Sequence, residues 1–122
     1  MIIHVCFGTR DLERAAPFYD ALAAELGIGR SGENERSIYW ANPGVGVGFA
    51  ITLPYDGNPA STGNGTMVTI GAKDRDQVDR LHAAALAHGG SDEGAPGVRA
   101  NGFYVAYFRD LDGNKLNVAA MS

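Results

Sequence analysis

The sequence predicts an α+β domain built from two βαβββ modules, and three observations predict it. Residues 102–118, GFYVAYFRDLDGNKLNV, set Phe103, Val105 and Tyr107 on one face and Tyr104, Ala106 and Phe108 on the other, break at a turn, and resume as a second strand. The stretch HVCFGTRDLERAAPFYDALAAELG aligns without gaps on MVTIGAKDRDQVDRLHAAALAHGG, placing Val5 against Val68, Gly8 against Gly71, Asp11 against Asp74 and Gly27 against Gly90. A slightly larger offset sets Tyr39 and Trp40 against Tyr107 and Phe108, and Phe49 against Asn117. Between the copies lies PYDGNPASTGN, residues 54–64, the strongest linker in the chain. The 122 residues therefore read as one domain, 1–122, with module one over about 1–57 and module two over about 65–122.

Taken in order, residues 2–9 (IIHVCFGT) read as a buried strand with His4, Cys6 and Gly8 on one face. Asp11 offers a helix N-cap and Glu13 suits the first turn. Leu12, Ala15, Phe18 or Tyr19, Leu22 and Leu26 form the apolar stripe that Gly27 stops. Pro17 is a discord costing about 3 kcal/mol in a helix interior, which predicts a frayed first turn or a kink. Residues 28–36 read as a loop or a weak edge strand, and 37–42 with 45–53 as a hairpin around Pro43-Gly44. Residues 65–72 form the next strand. Asp74 with Gln77 starts a capping-box helix carrying Val78, Leu81 and Ala85, ended by Gly89-Gly90. Residues 91–101 read as loop or short edge strand before the closing hairpin, and His82 and His88 as solvated.

Composition narrows the function classes. Hydrophobic content of 45% and charged content of 20% describe a globular chain large enough for a core. A formal charge of −4 without a basic cluster argues against nucleic acid as a partner, and the mild acidic balance favours cationic ligands only weakly. No apolar run is long enough to span a membrane, and residues 1–20 lack a signal-peptide layout. A single cysteine, Cys6, excludes an internal disulfide and fits a cytoplasmic location.

The segment FRDLDGNKLNV resembles the closing hairpin of the vicinal-oxygen-chelate superfamily, which includes glyoxalase I, extradiol dioxygenases, fosfomycin-modifying enzymes and bleomycin-binding proteins. The family pattern is roughly DPDGxxxE; Leu111 stands for its Pro and Asn117 for its Glu. The resemblance implies paired modules curling as a mixed sheet around a concave site, and a homodimer. It also implies a divalent-metal position ligated from the first strand of each module and from the last strands. Those positions hold His4, Met67 and Asn117, and no Asp or Glu lies between Arg36 and Tyr55 to supply a fourth. A thioether suits soft ions, and a neutral amide removes the charge that would balance a dication. No metal and no cofactor are therefore expected.

Tyr39 and Tyr107, with Phe49 and Val105 nearby, are expected to line the cup as an aromatic pocket beside His4, Cys6, Met67 and Asn117. That predicts a metal-independent binder of a small-molecule ligand. The alternative is an enzyme of lyase, thiol-transferase or dioxygenase type, with a non-standard metal site or His4 as catalytic base. Plainer readings stay open. His4 can be a buried histidine bonded to Asn117 or a water, Met67 core filler, and Cys6 a small buried hydrophobe.

Overall fold

The computed structural model describes residues 1–121 and is α+β, with two βαβββ modules. Module one contains β1 (His4–Gly8), α1 (Leu12–Leu26), β2 (Gly29–Glu33), β3 (Ser37–Ala41) and β4 (Gly48–Thr52). Module two contains β5 (Val68–Gly71), α2 (Arg75–Ala87), β6 (Ser91–Val98), β7 (Tyr104–Arg109) and β8 (Lys115–Ala120). Each module has its own four-stranded mixed sheet, ordered β1-β4-β3-β2 and β5-β8-β7-β6. No strand of one sheet runs beside a strand of the other; the packing of α1 on α2 joins them. No described helix is long and apolar enough to cross a membrane.

Local chemistry explains the helices. Asp11 caps α1 by accepting from Arg14 N at 3.1 Å, and Gly27, at φ +76°, ends it in the left-handed region. Asp74 accepts from Gln77 N at 2.8 Å, and the Gln77 side chain returns a bond by accepting from Lys73 N at 2.9 Å. The expected fraying of the first turn does not occur: α1 runs as one helix from Leu12 to Leu26 with Pro17 inside it. Pro17 and Glu13, whose carbonyl loses its helical partner to the proline, are both exposed, so water can take that bond.

Two strands are stronger than their composition suggests. The Gly- and Arg-containing segment 29–33 pairs with β3, and 91–98 pairs with β7 over eight residues interrupted by two register shifts. Pairing with a well-formed neighbour overrides poor intrinsic β propensity in both. Conversely, β4 begins only at Gly48, because 42–47 is a turn with Gly44 and Gly46 at positive φ.

Registers define the faces. Trp40 pairs with Phe49, and Ile38 with Ile51, which itself pairs with Phe7; all of these face the helices. Phe108, Leu116 and Val118 do the same in module two, and Phe18 meets Phe108 edge-on at 5.9 Å, so both modules share one core. Tyr19 stacks on Phe7 and packs on Trp40 and Phe49. Its hydroxyl donates to the buried Asp110 Oδ2 at 2.5 Å.

Burial, followed by the nearby carboxylate of Asp110, holds the Tyr19 phenol well above its ordinary value of 10. Unfolding releases it to ionise near its ordinary value, so its stabilising contribution is complete below pH ~10 and is lost as pH rises towards the raised folded value. Urea unfolding of the wild type should lose up to about 1.4 kcal/mol per pH unit above pH ~10 through this group. Tyr19→Phe should flatten that limb, at a cost near neutrality of about 1–2 kcal/mol. Parallel alkaline limbs in the two proteins would refute the assignment.

Candidate functional site

The face of each sheet turned away from the helices carries the polar and half-exposed side chains. In module one, Cys6 and Tyr39 both pair with Ala50, and His4 pairs with Gly48, so alternation puts His4, Cys6 and Tyr39 on this face. The close packing there requires glycine at 48, where a Cβ would sit 1.8 Å from the Trp40 carbonyl oxygen. His4 is exposed, with its ring edge-on to Tyr39 at 6.0 Å. Cys6 is exposed as well, and partial burial by its surroundings pushes its thiol pKa up, which lowers the thiolate fraction at neutral pH.

Module two is richer. Tyr107 pairs with Asn117 and Val105 with Ala119, while Thr69 pairs with Asn117 from the other side. Thr69 Oγ1 donates to Asn117 Oδ1 at 2.7 Å. Lys115 and Arg109 continue this face one pleat along. The Tyr107 ring lies between two cations, with the Arg99 guanidinium 5.5 Å and the Lys115 ammonium 5.6 Å from its centroid. Met67 sits just before β5, 42% exposed.

Of the sequence-predicted residues, His4, Cys6 and Tyr39 thus come together on one sheet, and Met67, Val105, Tyr107 and Asn117 on the other. Phe49 joins neither group. It faces the helices against Tyr19 and Trp40, on the opposite side of its sheet from Tyr39. The cause is a one-residue slip in the repeat: the connection 42–47 is one residue longer than 110–114, so the structural counterpart of Asn117 is Ala50 and that of Phe49 is Leu116. His4 is not the buried partner of Asn117, and Met67 and Cys6 are not buried filler. His82, expected to be solvated, is 7% exposed and bonded through Nε2 to Asp92 Oδ1 at 2.9 Å. Arg99, Arg109, Lys115 and Thr69 were missed. Lys115 was within reach, since a residue two before Asn117 on a strand shares its face.

The donor set does not suit a divalent metal. Among the described residues no three His, Cys, Asp or Glu side chains converge. Within one chain His4 lies on a different sheet from Met67 and Asn117, and those two offer a thioether and a neutral amide where a hard dication needs imidazole or carboxylate. Two of the cavities that border the second module matter here. One of about 1020 Å³ lies by the free edges of β1 and β5, with Val5, Ile28, Phe49, Val68 and Ile70 among its apolar lining. Another, of about 540 Å³, lies under Arg109 and Lys115.

A family model described as the Glyoxalase/Bleomycin resistance protein/Dioxygenase superfamily matches residues 1–118. The chain is similar to a glyoxalase/bleomycin resistance protein from Albidiferax ferrireducens T118, with 41% identity and a TM-score of 0.90 over 100% of this chain and 99% of that one. A glyoxalase-related enzyme from Fulvimarina pelagi shares the fold at 22% identity and a TM-score of 0.78, over 98% of this chain and 87% of that one. So does a lactoylglutathione lyase from Agrobacterium tumefaciens, at 19% identity and a TM-score of 0.70, over 99% and 93%. No curated protein matches the chain.

Protein loaded with excess zinc or nickel and then desalted should retain far less than one ion per chain by elemental analysis. One tightly held ion per chain, lost in His4→Ala, would contradict the reading of the donor set.

Proposed function

The chain belongs to the glyoxalase/bleomycin resistance protein/dioxygenase superfamily, and from that premise we propose that it is a metal-independent binder of a small molecule. Tyr107 carries the reading. It is half-buried on the face turned from the core, its hydroxyl has no partner among the described residues, and two cationic side chains flank its ring. A purely structural tyrosine would be covered by core on both faces; this one presents ring and hydroxyl to a ligand. Asn117 and Val105 form the floor around it, and Met67 offers an adaptable thioether at the rim.

A homodimer completes this proposal. β1 and β5 each pair on one side only, so each sheet has an open edge beside its half of the site. Ile2 and Ile3 are each 66% exposed near one edge and Met67 near the other, apolar surface that a second copy would cover. Pairing across those edges would bring the His4 wall of one copy towards the Tyr107 wall of another.

One observation favours an enzymatic alternative. His4 is exposed, oriented by Tyr39 and one pleat from Cys6, which leaves an imidazole available as a base. The two readings separate on His4→Ala, which abolishes catalysis but leaves binding at Tyr107 largely intact.

In calorimetry against hits from a panel of small aromatic compounds, Tyr107→Ala should weaken binding by about tenfold or more, and EDTA should not matter. Affinity that survives Tyr107→Ala would move the binding surface elsewhere. Sedimentation should give twice the chain mass at micromolar concentration, with Ile3→Asp shifting it to monomer. A wild type that remains monomeric would remove the second copy from the proposal.

A further inference from the structure

The charge of the second module's open face runs against the charge of the chain. The whole sequence carries a formal −4, yet Arg99, Arg109 and Lys115 gather around Tyr107 with Glu93 as their one carboxylate partner among the described residues. Glu93 engages only Arg109 Nε. Arg109 Nη1 donates to the Gly113 carbonyl at 2.8 Å and leaves Nη2 without a protein acceptor. Arg99 donates through Nη2 to the Ala95 carbonyl at 2.8 Å and meets no carboxylate. Lys115 forms no ion pair among the described residues. Asn117 accepts from Thr69, and its Nδ2 donor has no partner among the described residues. The face therefore offers positive charge and several free donors.

Its shape is prepared as well. Arg99 fits over Tyr107 because β6 carries glycine opposite it; a Cβ at Gly94 or Gly97 would lie 3.2 Å or 3.0 Å from the guanidinium nitrogens. The cavity of about 540 Å³ beneath Lys115 and Arg109 is open to solvent and bordered by Thr62, the turn Gly63–Thr66 and Met67, with Tyr107 and Arg99 outside its lining. In that turn Thr66 N donates to the Gly63 carbonyl at 3.2 Å, and a Cβ on Gly63 would sit 2.4 Å from Thr66 Oγ1. Gly63 and Gly65 leave backbone exposed along this border, between the side chains of Thr62, Asn64 and Thr66. The corresponding face of module one, with His4, Cys6, Ser37, Tyr39 and Thr52, carries no Lys or Arg.

We propose that the second module's cup takes an organic oxyanion, its carboxylate or phosphate group held by Lys115 and Arg109 and its flat body set against Tyr107 and Arg99. This rests on the binder reading and names the class of ligand. A carboxylate would meet charged donors in a partly desolvated cavity, where such hydrogen bonds are about twice as strong as neutral ones. It runs opposite to the weak preference for cations expected from net charge, because local charge at a site counts for more than a diffuse surplus of acids elsewhere.

The test uses benzoate, phenyl phosphate and the neutral isostere benzamide, followed by calorimetry and by amide chemical shifts on the full chain. Benzoate or phenyl phosphate should bind with shifts at Lys115 and Tyr107, weaken as salt rises, and lose at least about fivefold in affinity in Lys115→Gln. Arg99→Gln, checked for fold by circular dichroism, provides a second variant with the same expected direction. The preferred anion then separates a carboxylate site from a phosphate site. Benzamide binding as tightly as benzoate, unaffected by Lys115→Gln but lost in Tyr107→Ala, would overturn the oxyanion assignment and leave the binder reading standing. No binding of any of the three into the millimolar range would overturn the oxyanion assignment and count against the binder reading as well.

Discussion

The structure depends on one buried carboxylate. Asp110, 5% exposed, accepts from Asp112 N and Asn114 N through Oδ1, and from Tyr19 Oη and Asn114 Nδ2 through Oδ2. Four donors on one side chain compensate the loss of water that would otherwise make a buried charge costly. The turn so fixed then reaches across to module one. Thr9 Oγ1 donates to Asp112 Oδ2 at 2.6 Å, Arg10 N donates to Asp112 Oδ1 at 3.0 Å, and Asn114 Nδ2 donates to the Gly8 carbonyl at 2.9 Å. Because the sheets share no strand pairing, this polar clamp and the helix–helix contact set how the modules sit on each other.

That clamp also explains why the closing hairpin is the most informative stretch of the sequence. Asp110, Asp112 and Asn114 were legible as turn formers, but their targets, Gly8 to Arg10 and Tyr19, lie about a hundred residues away and leave no local trace. The modules, both N-caps and the linker were legible because each follows from short-range chemistry. β2 and β6 were ambiguous because their pairing comes from neighbours and not from their own residues. The face of Phe49 was misjudged because one extra residue in a turn inverts every side chain beyond it. Arg99 was invisible for a related reason: only a register interrupted by bulges carries the chain from Gly94 opposite Tyr107 to an arginine folding back over the ring.

Duplication makes the difference between the two halves meaningful. The same βαβββ frame presents an imidazole, a thiol and a phenol on one open face and a cation-flanked phenol on the other. The frame is common to both, and the contrast arises from the outward side chains together with the bulges of β6 that bring Arg99 over Tyr107. Function on this scaffold is decided by which residues occupy a few outward positions, not by the fold, which the relatives share at identities near 20%.

The open edges of β1 and β5 carry a consequence for assembly. They are unlike surfaces, so a joint between them is head-to-tail, and such a joint has two outcomes. If the rotation from one copy to the next is a half-turn, two joints close a ring of two and no β1 or β5 edge remains open. Any other rotation lets the joint repeat and builds a helical filament from the same contact. The angle imposed between the modules, and with it the polar clamp that imposes it, would thereby decide whether the chain forms a closed pair or a fibre.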